Sequence, residues 1–122
     1  MKYLLMCCTE EKRYAAMSKG EIDAIMEETS AYCEALHKNG HLIASEALEP
    51  VQTATTVRVR NGALSTTDGP FAETKEQFGG FFLINARDLN EAIQVASRFP
   101  SARIGSMEVR PVRQQSNPIE TI

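Results

Sequence analysis

Two stretches of this chain, Tyr3–Cys8 and Phe81–Ile84, are apolar at consecutive positions, and this restricts the fold more than any other feature. Successive side chains of a strand point to opposite faces, so a strand that is apolar throughout must be covered on both sides. Helices can cover one face of a sheet. The other face would stay wet in a two-layer monomer, and an apolar patch of that kind marks an interface. The simplest cover is the same sheet of a second subunit, packed face to face with two-fold symmetry. A homodimer is therefore expected.

The rest of the chain supplies the elements around these strands. Ser18 and Glu21 form a capping box, and Ile22, Ile25, Met26, Thr29, Tyr32, Cys33 and Leu36 follow at helical spacing. Asn39-Gly40 ends that helix. The polar stretch Thr9–Met17 before it reads as a connecting loop. His41–Leu48 reads as a strand closed by Pro50. Thr55–Arg60 and Ala63–Thr67 form a hairpin around Asn61-Gly62. After the Asp68-Gly69-Pro70-Phe71 turn and the polar run 72–77 comes the second two-faced strand. Asp88, with Glu91 three residues on, caps a second helix whose inner face is Leu89, Ala92, Ile93, Ala96 and Phe99, stopped by Pro100. Ile104–Val112 is the last strand, with Met107 and Val109 inward. The order is strand, helix, strand, hairpin, strand, helix, strand. It predicts an α+β, ferredoxin-like fold, an antiparallel sheet with two helices on one face. Its 122 residues suffice for one domain, placed at 1–113, followed by a flexible polar tail at 114–122.

Composition excludes several classes. Net charge is −3 and no basic stripe is present, so nucleic acid is not expected as a partner. The longest apolar run is far too short to span a membrane. Lys2 ahead of Leu4, Leu5, Met6 and Cys7 has a faint likeness to a lipoprotein signal, but the run is short and a bulky Met precedes Cys7, so a strand is the better reading. Cys7, Cys8 and Cys33 are odd in number and lack a CxxC spacing, as expected of reduced thiols in a cytoplasmic protein.

The candidate chemistry centres on the turn at Asp68. Its carboxylate can accept backbone amides two residues on, a structural role, or act as a base or polar anchor in a cleft. Glu73, Lys75 and Glu76 follow and could bind a polar ligand or form a solvated salt-bridge loop. His41 with Glu46 is a candidate acid/base pair. Cys33 and His37 lie at i, i+4, a spacing that can share a metal, but no second cluster supports a metal site and none is predicted. Gly79-Gly80 lacks a following Lys-Ser/Thr and leads into a strand, so it is no phosphate cradle, and no GxSxG is present. No cofactor is expected.

The stretch from Asp68 to Ile84, DGPFAETKEQFGGFFLI, resembles the signature of DGPF-domain proteins within the YCII-related (YciI-like) family. The resemblance extends to Gly40–Leu48, the hairpin, the helix start at Arg87–Ile93 and the end at Glu108–Val112. It implies a dimeric α+β barrel. A better-studied branch of that family has a proposed His–Asp site, and the matching positions here are Thr29 and Phe99, neither of which can act as a base. The resemblance therefore does not carry dehydrochlorinase-type chemistry to this chain. It does imply a functional link to a sigma factor of the extracytoplasmic-function type. Two functions stand side by side. One is a homodimeric module that binds an unidentified small molecule or regulates a partner. The other is a cofactor-free acid/base enzyme, lyase- or isomerase-like, acting on a small substrate, with an aromatic one among the candidates.

Overall fold

The structure is a computed structural model that describes residues 1–114. The strands are β1 (Lys2–Thr9), β2 (Leu42–Ala47), β3 (Thr55–Arg60), β4 (Ala63–Asp68), β5 (Gln77–Asn85) and β6 (Ser106–Pro111). The helices are α1 (Glu11–Ala15), α2 (Lys19–Lys38), α3 (Leu89–Ser97) and α4 (Ser101–Ile104). Four strands make one antiparallel sheet in the order β2-β5-β1-β6, and β3 pairs with β4 as a separate ribbon. The architecture is α+β.

The caps form as their residues dictate. Ser18 Oγ accepts the Glu21 amide at 3.1 Å while Glu21 Oε1 accepts the Ser18 amide at 3.3 Å. The Asp88 carboxylate accepts the Glu91 amide at 2.9 Å. Asn61 and Gly62 both take positive φ, 52° and 77°, as the two-residue β3–β4 turn requires.

Register assigns the faces. Leu5 stands between Phe82 and Val109, and Tyr3 between Ile84 and Pro111. One face therefore carries Tyr3, Leu5, Cys7, Phe82, Ile84, Met107 and Val109. Both longer helices pack on it: Leu36 of α2, and Ala92, Val95 and Ala96 of α3 with Phe99 just beyond it, join Tyr3, Leu5, Ile84 and Ala86 in one buried cluster. Phe99 is its centre, fully buried, stacked on Phe82 at 4.0 Å and edge-on to Tyr32 at 4.7 Å. The Tyr32 hydroxyl donates to the Val95 carbonyl at 2.7 Å, tying α2 to α3. The opposite face of the sheet presents Leu4, Met6, Cys8, Phe81 and Leu83, all half-buried, and the two longer described helices pack on the other side.

Three boundaries differ from the sequence reading. Thr9–Met17 is not all loop, because α1 forms within it; the Glu11 amide donates to Gln77 Oε1 at 2.9 Å, a tertiary contact that local pattern does not reveal. Pro100 follows the end of α3 but also begins α4, where its missing N–H costs nothing, so the last strand starts at Ser106 rather than Ile104. β5 begins at Gln77, four residues before Phe81, because Gln77 and Phe78 pair with Thr9 and Cys8 across a bulge at Cys7/Cys8. Apart from Gln114, the polar tail lies outside the described residues. None of the described helices is long and apolar enough to cross a membrane.

Candidate functional site

Helix α2 packs closely at one end only. Leu36, in its last turn, is its single buried residue, with Tyr32 and Cys33 partly buried beside it. Towards the N-terminus Ile22 and Ile25 are half-exposed and Met26 is 61% exposed, although all share the apolar stripe. The helix thus stands away from the sheet at its start. Between it and β1, β2 and β5 lies an open cleft of about 970 Å³. Ile22, Ile25 and Met26 form one wall; Phe82, Gly80 and Leu48 belong to the other. Gly80 has a steric reason: a Cβ there would stand 2.9 Å from the Glu46 carbonyl oxygen and 3.4 Å from Ala47 Cα, so glycine lets β2 pair closely at the cleft.

The polar end of the cleft is built by α1, β1 and α4, which bring Tyr14, Cys7 and Ser101 together. Burial pushes the Cys7 thiol up to about 11; the neighbouring Ser101 hydroxyl lowers it in part, and Cys8 and Cys33 raise it further. Burial likewise raises Tyr14, helped by Cys7 and opposed by Ser101 and Arg13. Both groups are therefore neutral at physiological pH. They can donate hydrogen bonds, but Cys7 is not a nucleophilic thiolate. Glu11 adds a carboxylate to the same lining; its Oε2 accepts the Val51 amide at 3.0 Å.

Of the candidate catalytic and ligand-binding residues, Asp68, His41, Glu46, Glu73, Lys75 and Glu76, only Glu46 lines this cleft. His41 sits just before the other end of β2, its Nδ1 bonded to the Asn85 carbonyl at 2.7 Å. Five residues of extended chain separate it from Glu46, roughly 16 Å, so the two do not form an acid/base pair. A second hollow, of about 540 Å³, lies near that end, lined by Met1, Lys2, Asn85, Val112, Arg113 and Gln114; it gathers none of the predicted residues. Cys33 faces the cleft whereas His37 is exposed, and no cluster of three metal-ligating side chains occurs among the described residues. None of the three cysteines is in a disulfide.

The turn at Asp68 works differently from expectation. Asp68 ends β4, is exposed, and among the described residues no donor bonds its carboxylate. The turn is held by the ribbon instead. The Gly69 amide donates to the Ala54 carbonyl at 2.7 Å, and Thr56 Oγ1 donates to the Gly69 carbonyl at 2.8 Å, with Gly69 at φ 101°. Glu73 and Lys75 are exposed, with no side-chain partner among the described residues, and Glu76 accepts the Ser106 hydroxyl at 2.6 Å. The residue that organises this loop is Gln77. Its Nε2 donates to the Thr74 carbonyl at 2.7 Å while its Oε1 takes the Glu11 amide. Asp68→Ala should accordingly change stability by no more than about 0.5 kcal/mol, as for an ordinary surface substitution. Denaturant titration measures this, and a loss well beyond that value would restore Asp68 as the anchor.

Sequence reasoning missed Tyr14, Glu11, Cys7 and Ser101. The first two lie in a stretch read as loop, and the last just past a proline read as a stop. Thr29 lines the cleft, its hydroxyl donating to the Ile25 carbonyl at 2.8 Å, while Phe99 lies in the core with no access to it.

Comparison with known proteins bears on most of the chain. The YCII-related domain matches residues 1–116. An uncharacterised protein of Rhizobium meliloti (strain 1021) is 39% identical over 114 residues, a match covering 92% of this chain and 92% of that relative.

Proposed function

The chain belongs to the YCII-related family, and from that premise we propose that it is a homodimeric module that binds a small, largely apolar molecule in the cleft between α2 and the sheet. The observation that carries this reading is the cleft itself, about 970 Å³ with mainly apolar walls and a few convergent polar groups. Binding sites for small molecules have this composition and size. Tyr14 and Ser101 at its polar end suit a ligand with a hydrogen-bonding group on one side of an apolar body. Acid/base chemistry at this cleft would draw on its carboxylates, Glu11 and Glu46, since Asp68 and His41 lie elsewhere.

A melting experiment with 1-naphthylmethanol as a neutral probe tests this reading. A ligand that binds only the native state at ten times its dissociation constant adds about 1.4 kcal/mol, a rise of roughly 3–8 °C for a domain of this size. Ile25→Trp, which puts a bulky ring into the apolar wall where the body of the probe would lie, should reduce the shift while leaving the fold intact. No shift in the parent, or an equal shift in Ile25→Trp, would sink the proposal.

The homodimer reading rests on the other side of the sheet. The four-stranded order β2-β5-β1-β6 supports reading the fold as ferredoxin-like, a plan whose helix-free face would take a second sheet. Leu4, Met6, Phe81 and Leu83 supply an apolar surface there. The β3–β4 ribbon adds a second, since Val57, Val59 and Leu64 share one face and Leu64 is 69% exposed. A two-stranded ribbon alone is marginal in water, which favours its being covered in the assembly. The parent should sediment as a dimer at micromolar concentration and Leu83→Glu as a monomer. A monomeric parent would discard the dimer and leave the cleft proposal standing.

A further inference from the structure

The cleft is one-sided in charge. Among the described residues that line it there is no Lys, Arg or His, whereas Glu11 and Glu46 both contribute. No ion pair engages either carboxylate among the described residues. Lys12, next to Glu11 in sequence, is exposed and does not line the cleft. Arg13, on the same helix as Glu11, donates to the Ile104 carbonyl at 2.9 Å, and Arg103 of α4 pairs with Glu28 at 2.9 Å. Glu11 is half-buried and fixed: one carboxylate oxygen holds the Val51 amide, and its own amide is held by Gln77. The other oxygen has no protein donor among the described residues. The remaining polar groups at that end, Tyr14, Cys7 and Ser101, are uncharged donors and acceptors. A carboxylate held in place beside low-dielectric walls concentrates negative potential in the cleft. Such a site repels carboxylates and phosphates and attracts a cation.

We propose that the cleft selects an organic cation, an amine with an apolar or aromatic body, with its ammonium held by Glu11 and its body between Ile25 and Phe82. This rests on the cleft being a ligand site and adds the charge class that the site accepts. A charge-assisted hydrogen bond to a positioned carboxylate is stronger than its neutral counterpart, and one that is partly open to solvent should still separate amine from alcohol by about fivefold or more.

Three probes of one shape decide the matter: 1-naphthylmethylamine, 1-naphthylmethanol and 1-naphthoate, titrated calorimetrically against the full chain at neutral pH. The expected result is that the amine binds about fivefold or more tightly than the alcohol and the carboxylate most weakly. The amine's advantage should shrink as salt is raised. Glu11→Gln keeps an oxygen for the Val51 amide while removing the charge, so it should weaken the amine far more than the alcohol and close the gap between them. If the alcohol binds and the amine is no tighter, or if naphthoate binds best, the charge selection is overturned and the cleft remains a neutral binding site. An amine preference that survives Glu11→Gln overturns the role given to Glu11. If none of the three binds, both this inference and the cleft reading beneath it fall. The parent comparison stands without the variant, so a poorly folded Glu11→Gln would not shelter the proposal.

Discussion

Phe99→Ala should cost about 3–5 kcal/mol of stability, the range for truncating a fully buried aromatic side chain. Few positions in the chain concentrate so much. Phe99 has no exposed surface, stacks on Phe82 of β5 and meets Tyr32 of α2 edge-on, and so joins the sheet to both long helices. Removing the ring leaves a cavity at that junction, and aromatic pairing is lost on two sides. Phe71 offers the matched control. It lies in the same signature-bearing half of the sequence but is 81% exposed, and Phe71→Ala should stay within about 0.5 kcal/mol of the parent. Chemical denaturation of the two variants makes the comparison, and a loss below about 2 kcal/mol for Phe99→Ala would show that the site collapses or that the ring is not central. Phe99→Asp should be worse still, because an unpaired carboxylate would enter an apolar core with no donor in reach. That outcome matters for function. The family resemblance matches the Asp of a related branch's proposed site to this position, which in this chain is occupied by a core phenylalanine.

The sequence carried the α+β layout and failed at distances. The two-faced strands, the capping box at Ser18, the Asp88 cap and the Asn61-Gly62 turn are local signals, and each produced its element. At α3 the box is incomplete, because Glu91 Oε1 accepts the Arg87 amide instead of that of Asp88. The stripe from Ile22 to Leu36 correctly marked the side of α2 that faces inward. Periodicity gives a direction and not a separation, so it could not reveal that the helix closes on the sheet at Leu36 and stands off at Ile22. The cleft is that difference. Helix α1 escaped notice for another reason. Its five residues carry no apolar period, and its place is set by a bond from Glu11 to Gln77, which is 66 residues away. Asp68 shows a third kind of failure. Turn propensity marked the turn, but the residue two on from Asp68 is Pro70, which has no N–H, and the Gly69 amide is claimed by the Ala54 carbonyl. The signature segment reads in the end as a folding motif: Gly69 for its φ, Gln77 for its bonds, Gly80 for its closeness to β2, Phe82 for the core.

Gly105→Ala should be among the most damaging single changes available, costing about 3 kcal/mol or more, at the upper end of overpacking effects. The glycine is not needed for a left-handed torsion, since its φ is −158°, an extended value open to any residue. It is needed for space. A Cβ at this position would lie 2.3 Å from the Cys8 carbonyl oxygen, 2.6 Å from Thr9 Cγ2 and 3.0 Å from Thr9 Cα. Two of these neighbours are backbone of the inner strand β1, which is paired on both sides and cannot retreat. The clash must therefore be relieved by moving the start of β6, where Ser106 pairs with Cys8, or the end of α4, where the Gly105 amide donates to the Ser101 carbonyl at 2.9 Å. Either movement reaches the cleft, because Ser101 stands beside Cys7 and Tyr14 at its polar end. Gly79→Ala is the contrast: no atom lies within 4 Å of a Cβ there, so stability should stay within about 0.5 kcal/mol of the parent. Melting temperature and probe affinity should fall together in Gly105→Ala, whereas melting temperature should hold in Gly79→Ala. Parent-like stability for Gly105→Ala would mean that β1 and β6 have room to separate, and would remove the steric account of why α4 and its serine sit where they do.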